Sequence, residues 1–276
     1  MNNDKQELIK REEENYVTLI DQTGVENAIE KLVMKNNSLL PNNVAVDRIK
    51  NSAGFYITNR KDLMELDNQS KMQMLYGVLK EAMVGCEAGT DYDIIPFKGK
   101  PVIIRKKDGW FKIIDLIKPA EIIRFTNNVV FKGDEFSFNP VTEELYHKPL
   151  VTSDKYEDIE YAYAYIKFSN GFEKTVCMSK KDIESIKKVS PSVNTSFSPW
   201  TTQPVKMVKT KVVKELAKEL FTLFGGRING ILSQVIESDE ISIKRVDGKG
   251  YIINDAEVYE APKKEPKKVV TLDDID

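Results

Sequence analysis

Apolar residues recur at helical spacing through much of the 276-residue chain. Leu8, Tyr16, Leu19 and Ile20 predict a charged helix over residues 4–20, broken at Gly24. Val25, Ile29, Leu32 and Val33 predict a second over 25–35. A short helix is expected over 43–53, after Pro41. Met72, Leu75, Leu79 and Met83 predict another over 68–84, with Asn68 as its N-cap and Gly85 at its end. Val102–Lys106 reads as a short strand. Trp110, Ile113, Ile114 and Ile117 fall at i, i+3, i+4 and i+7 and predict a helix over 110–118, stopped by Pro119. Strands are expected at Glu121–Lys132, Glu135–Asn139, Glu143–Lys148, Asp158–Ser169 and Phe172–Met178, the last two joined by an Asn170-Gly171 turn. Ser179 and Asp182 form a capping box for a helix over 180–188. Residues 189–203, rich in Ser, Thr and Pro, read as a loop, and 204–224 is the strongest amphipathic helix, ended by Gly225-Gly226. Beyond about residue 237 the periodicity fades into a charged, proline-containing stretch. The expected fold class is α+β: an antiparallel β-meander with helices packed on one side and a flexible C-terminal tail. Three segments follow: an acidic N-terminal helix over 1–24, a core over 25–236 and a tail over 237–276.

Composition narrows the chemistry. Hydrophobic residues make up 41% of the chain, enough to bury a core. No stretch approaches the roughly 18 apolar residues of a membrane span, and MNNDKQELIKREEEN has no apolar secretory core. The two cysteines, Cys86 and Cys177, lie far apart in apolar surroundings and read as reduced, buried thiols, while His147 is the single histidine. A zinc site would have to be assembled from these scattered residues. No GxxxxGK[ST] motif is present for a nucleotide phosphate. The expectation is a soluble protein of a reducing, cytoplasmic compartment.

The net charge of −2 conceals segregation. Residues 1–30 carry −5, 98–132 carry +6, 143–160 carry −4, 167–218 carry +7 and 237–276 carry −4. Any single lysine is ordinarily a solvated surface residue, but two cationic blocks brought together by folding would form a groove for a polyanion. The 204–224 helix sharpens this. Val208, Val212, Leu216, Leu220 and Phe224 share an apolar sector with Val213 and Ala217, while Lys211, Lys214 and Lys218 face the opposite way. Lys209 falls inside the apolar sector and Lys206 near its edge. Lys209 must snorkel, pair with a carboxylate or face a groove. In a first helical turn, free N–H groups and the positive dipole end suit a phosphate. Ser198, Trp200, Thr201 and Thr202 precede it with hydroxyls and an aromatic ring. In the other block, Arg105, Lys106, Lys107 and Lys112 can reach phosphates and Trp110 or Phe111 offers a stacking or wedge surface, with core packing the ordinary role of such rings. Arg124 and Lys132 extend the block. Tyr161, Tyr163 and Tyr165 lie on one strand face, where they could stack bases, although a covered sheet face is the commoner use.

Over roughly residues 25–230 the chain resembles the RecT branch of the RecT/Red-beta phage single-strand annealing proteins. The resemblance rests on Ser198-Pro199-Trp200 followed by Met207-Val208-Lys209 and Lys214, on the GCEAGTDYDIIPF stretch, and on Lys132-Gly133-Asp134-Glu135-Phe136, in that family's order. It implies an ATP-independent recombinase that coats single-stranded DNA, pairs it with a complementary strand and assembles into rings or helical filaments. By position, Lys209 and Lys214 match basic residues of the family's helix, whereas RKKDGW departs from its usual shorter turn. The implied partners are single-stranded DNA and the annealed duplex intermediate, further copies of the chain, a phage exonuclease and the host single-strand binding protein. No cofactor is required, with Mg2+ at most a modulator. The acidic Glu12, Glu13 and Glu14 would dock on a neighbouring subunit, and Asp273–Asp276 would stay free or engage a partner.

Two other classes are open. Asp91, Asp93, Glu121 and Glu173-Lys174 could be assembled into a metal-dependent nuclease, although their spacing matches no compact pattern. A coating protein would bind nucleic acid without speeding its pairing.

Overall fold

The computed structural model describes residues 20, 24–36, 40, 45–97, 99–190 and 198–225, and the backbone of 244–245 and 251–252. Chain contacts separate two units, Met1–Glu237 and Ser238–Asp276. The predicted helix over 4–20 lies outside the described residues apart from its last position.

The first unit opens with helices α1 (Val25–Lys35), α2 (Val46–Thr58), α3 (Lys61–Met64) and α4 (Asn68–Met83). α1 buries Val25, Ala28, Ile29, Leu32 and Val33, the stripe its spacing predicts. α2 is displaced toward the C-terminus from the expected 43–53. The cap of α4 is Asp67 rather than Asn68: its carboxylate accepts the Ser70 N–H at 2.7 Å, so Asn68 becomes the first helical residue.

β1 (Tyr92–Phe97) and β2 (Lys100–Arg105) form an antiparallel hairpin with Ile94 opposite Ile103. α5 (Lys107–Ile117) follows at once, starting earlier than predicted, with Trp110, Ile113, Ile114 and Ile117 buried along it. Gly109 lies so close to the Asp91 carbonyl that a Cβ would sit 2.5 Å from its oxygen, which fixes glycine there.

The main sheet has three antiparallel strands in the order β3-β6-β7: β3 (Ile122–Phe131), β6 (Ile159–Phe168) and β7 (Glu173–Ser179). The expected Asn170-Gly171 turn joins the last two, with Gly171 at φ 86°. The expected meander is interrupted between β3 and β6, where β4 (Glu135–Phe138) and β5 (Leu145–Lys148) pair only with each other. Asp134 is the cause. Its carboxylate accepts N–H groups from Phe131, Leu150 and Val151 at 2.9, 2.8 and 3.0 Å and lies 3.2 Å from His147 Nε2, tying both ends of the β4–β5 excursion together. Burial opposes the charge, yet these donors hold the Asp134 carboxyl down at about 2.

Strand alternation divides the sheet into two faces. Ala162, Ala164, Ile166 and Phe168 of β6 are buried on one of them. α6 (Lys180–Lys188) begins in the predicted Ser179–Asp182 capping box. α7 (Pro199–Thr202) is a single turn inside the expected loop, and it leads into α8 (Pro204–Phe224). α8 packs against α5 and all three strands. It buries Val208, Val212, Val213, Leu216, Ala217 and Leu220, each worth on the order of 1–3 kcal/mol as apolar burial. The small Ala162 and Ala164 side chains let the helix approach closely.

The other face carries Tyr161, Tyr163 and Tyr165 and is covered by the β4–β5 hairpin. Phe136 stacks on Tyr161 with ring centroids 5.0 Å apart, and His147 Nδ1 lies 3.0 Å from the Tyr163 hydroxyl. The hairpin tip is latched by Glu143, held at φ 57°, whose carboxylate accepts the Thr175 N–H at 2.8 Å and pairs with Lys174 at 2.6 Å. This arch encloses a cavity of about 670 Å³ beside Arg124, Tyr163 and Tyr165. The tyrosine ladder is therefore covered in part, by a hairpin instead of helices: Tyr163 is buried, Tyr165 half-buried and Tyr161 exposed.

In the second unit Lys244–Arg245 (β8) pairs with Tyr251–Ile252 (β9), a local pairing within the stretch expected to be a flexible tail. The rest of that unit lies outside the described residues.

Arg105 joins β2 to α4 from the inside. Its guanidinium meets the Glu81 carboxylate at 2.8 and 2.7 Å, with the two side chains 2% and 4% exposed, and sits 5.2 Å from the Trp110 ring centroid. Removing one partner leaves a buried charge alone. Glu81→Ala is expected to lower unfolding stability by about 3–5 kcal/mol in urea titration; a loss below 1 kcal/mol would mean the pair is hydrated.

Candidate nucleic-acid interface

The lysines and arginines of the two cationic blocks sort by what each touches. Arg105 points into the core against Glu81, so it is withdrawn from the groove: a guanidinium gripped by a buried carboxylate is not available to a phosphate. Trp110, 2% exposed, packs in the same core and offers no wedge. Lys106 donates to the Gly89 carbonyl and pairs with Asp93 at 2.9 Å. Lys112 bonds the Gly85 carbonyl at 2.8 Å and the Asp91 carboxylate, whose side chain is only 2% exposed, at 2.5 Å. These two lysines pin the first turns of α5 to the 85–93 segment. Lys107, the first residue of α5, is exposed, and among the described residues its one ion pair is with its neighbour Asp108 at 3.5 Å.

On α8, Lys206 is exposed and Lys209 half-buried. No carboxylate pairs with Lys209 among the described residues; its backbone carbonyl accepts from the Asn127 side chain of β3 at 3.4 Å. Burial lowers the Lys209 pKa, and the positive charge of Lys107 lowers it further. The two cationic blocks thus meet where the start of α5 packs on the first turns of α8. Lys214, expected on the solvent side of α8, instead carries its ammonium 5.3 Å from the centre of the Trp110 ring, on the α5 side.

The segment before α8 behaves differently from expectation. Ser198 is buried and its hydroxyl accepts the Trp200 N–H at 3.2 Å as the cap of α7. Trp200 is 1% exposed, edge-to-face with Tyr156 at 6.4 Å, and its indole N–H has no partner among the described residues. The Thr202 hydroxyl donates back to the Ser198 carbonyl at 3.2 Å, and Thr201 is exposed. Ser198 and Trp200 therefore build the entry to α8 and are not surface contacts. Their burial follows from a proline-started turn that must seal the end of the core.

Arg124 is exposed on the tyrosine face of β3, 5.8 Å from the Tyr165 ring centroid, beneath the hairpin arch. It lies on the sheet face opposite α8, away from Lys107 and Lys209. Lys132 follows β3, and its N–H donates to the Asp158 carbonyl at 2.9 Å, placing it beside the turn Tyr156–Asp158. Over that turn come two lysines of α6 that the sequence reading did not single out. Lys180 and Lys187 lie 4.0 and 3.6 Å from the centre of the Tyr156 ring. Their seven-residue spacing, which places both on one helix face, was the available signal.

The carboxylates considered for a metal centre are dispersed. Asp91 holds Lys112, Asp93 holds Lys106, and Glu173 holds Lys167 and the Tyr165 hydroxyl. Among the described residues no three His, Cys, Asp or Glu side chains converge on a common point. Cys86 and Cys177 are both unbridged, and burial pushes the Cys177 thiol up to about 11.

A family model described as the RecT family matches residues 92–256. The chain belongs to the RecT family. Its members act in phage single-strand annealing recombination. Among curated proteins none matches the chain. The RecT match starts at β1, so α1–α4 lie outside it, and it extends past the expected limit of 230 into the second unit. No described helix is long and apolar enough to cross a membrane.

The pairing pattern separates scaffold lysines from the others in this RecT chain. Lys209→Met removes a charge that burial and Lys107 both disfavour, so its urea midpoint should match or exceed that of the unaltered protein. Lys112→Met, which strips the buried Asp91 of its cation, should lower the midpoint. The reverse order would contradict the assignment.

Proposed function

We propose that this RecT-family chain binds single-stranded DNA along the junction of α5 and α8, assembles on it and anneals complementary strands without hydrolysing a nucleotide. The observation that carries this reading is the approach of Lys107 to Lys209, with no carboxylate paired to Lys209 among the described residues. Two unlike segments of the sequence, the first turn of α5 and the second turn of α8, bring ammonium groups near each other, and among the described residues no carboxylate pairs with Lys209. A phosphate relieves that repulsion and is further favoured by the N-terminal end of α5 at Lys107.

Lys107, Lys206, Lys209 and Lys214 hold the sugar–phosphate backbone in this reading. Binding is driven by counterion release and is indifferent to base sequence. A strand held by its phosphates keeps its base edges free, and pairing with an incoming strand supplies the specificity. No metal enters a step. The same reading calls for a phage exonuclease to expose single strands, for encounter with the host single-strand binding protein and for work in the bacterial cytoplasm.

Fluorescence anisotropy with a labelled oligonucleotide tests the contact. Lys107→Ala with Lys209→Ala should weaken binding and reduce the slope of log affinity against log salt by about 1.4, or 0.7 for each lost phosphate contact. An unaltered slope removes both lysines from the interface. Annealing of two complementary oligonucleotides should proceed at an unchanged rate in EDTA. Loss of annealing on chelation would favour a metal-dependent reaction, and tight binding with no acceleration of pairing would favour a coat.

A further inference from the structure

The structure gathers a second set of lysines. Lys180 and Lys187 both bring their ammonium groups to the Tyr156 ring, 4.0 and 3.6 Å from its centre, and Lys180 also donates to the Tyr156 carbonyl. The Lys132 backbone is tied to Asp158 at the end of the same turn. Among the described residues none of these three ammonium groups forms an ion pair with a carboxylate. Glu157 and Glu184 are near enough to attract Lys180, but Lys132 and Lys187 repel it and burial costs it hydration, and the balance lowers its pKa. A ring quadrupole attracts one cation modestly; two cations sharing it oppose each other.

The aromatic platform also reaches α8. Tyr156 contacts Trp200 edge-to-face at 6.4 Å, and Trp200 belongs to α7, which runs directly into the first turn of α8. The Tyr156 lysines and the Lys206–Lys209 turns are therefore linked through one buried tryptophan within the same unit.

We propose that Lys132, Lys180 and Lys187 form a second phosphate-binding site, joined to the α5–α8 junction through Tyr156 and Trp200, which lengthens the stretch of nucleic-acid backbone that each subunit grips. This rests on the nucleic-acid reading above and adds to it a site on different elements. Tyr156 gathers the two α6 ammonium groups about its ring, and a phosphate near them adds counter-charge to what Glu157 and Glu184 give Lys180. An acidic segment of a neighbouring chain has similar charge. The link to α8 favours a continuous nucleic-acid strand.

The test compares Lys180→Ala/Lys187→Ala with Lys180→Arg/Lys187→Arg in the full chain. On a long single-stranded oligonucleotide, the alanine pair should reduce the salt slope by about 1.4, and the arginine pair should restore it. On oligonucleotides shortened stepwise, the affinity of the alanine pair should converge on that of the unaltered protein once the strand is too short to reach both sites. An unchanged slope on the long strand overturns the proposal. So does an unchanged slope accompanied by smaller assemblies in sedimentation, which assigns these lysines to a neighbouring chain. If the alanine pair unfolds, the arginine pair decides alone: it keeps the charge but alters its reach, and it must keep the full slope and the length dependence. Failure of the underlying reading looks different, since the unaltered protein would then bind no oligonucleotide at low salt.

Discussion

The seating of α8 against the β3-β6-β7 sheet and α5 is the contact on which the remaining geometry depends. One helix closes the core from both sides, because its apolar sector meets the alanine-lined face of β6 while its flank meets the buried stripe of α5. Once that packing is made, Lys209 cannot leave the apolar sector without rotating the whole helix. Rotation by a residue's angle would pull Val208, Val212 and Leu216 out of contact, at a cost of several times the roughly 1 kcal/mol that a half-exposed ammonium gains from better hydration. The core therefore imposes the strained position of the lysine, and Lys107 is delivered to it by the same helix pair.

The internal ion pairs explain why only some lysines are left for a ligand. The β1–β2 hairpin and the 85–93 segment bury Cys86, Ala88, Tyr92 and Ile94 in the core, and they are fastened as well by Arg105 to Glu81, Lys112 to Asp91 and Lys106 to Asp93. A cationic block can thus be largely structural even when its charge count suggests a binding surface. Of the run Arg105-Lys106-Lys107, the first is buried, the second anchors, and only the third is presented outward. Charge density along a sequence does not distinguish these, because the neutralising carboxylates come from positions 13 to 24 residues away.

That limit sets what could be read from the sequence. Helices α1, α5, α6 and α8, the strands of the main sheet and the β6–β7 turn follow from local periodicity and turn chemistry. Those signals are short-range and each was strong: a capping box at Ser179, Asn170-Gly171, a stripe of four apolar residues along α5. The fate of the β4–β5 strands was not readable, since their alternation is the same whether they join a sheet or fold over it. Asp134, by joining the local Phe131 N–H to those of Leu150 and Val151 from beyond the hairpin, made that choice. Likewise Ser198 and Trp200 have the composition of a surface loop, and their burial depends on Tyr156, more than 40 residues earlier. The family motifs were legible where the family match lies, but a motif conveys kinship and says nothing of which way each side chain faces.

The two faces of the sheet consequently have different chemical characters. On the α8 face the cations are the part the core could not neutralise. On the other face the tyrosines, Glu173 and Glu143 are engaged by Lys167, Lys174 and the hairpin arch, so Arg124 stands among largely satisfied groups. A polyanion spread along the sheet edge would meet uncompensated charge only on the first side. For a strand of fixed phosphate spacing, the useful extension from Lys209 is toward α7 and the Tyr156 turn, where the Trp200 contact keeps the path on rigid elements, and not across the sheet to Arg124. Trp200, whose ring meets Tyr156 edge-to-face, joins the α8 entry to the turn beneath the lysines of α6.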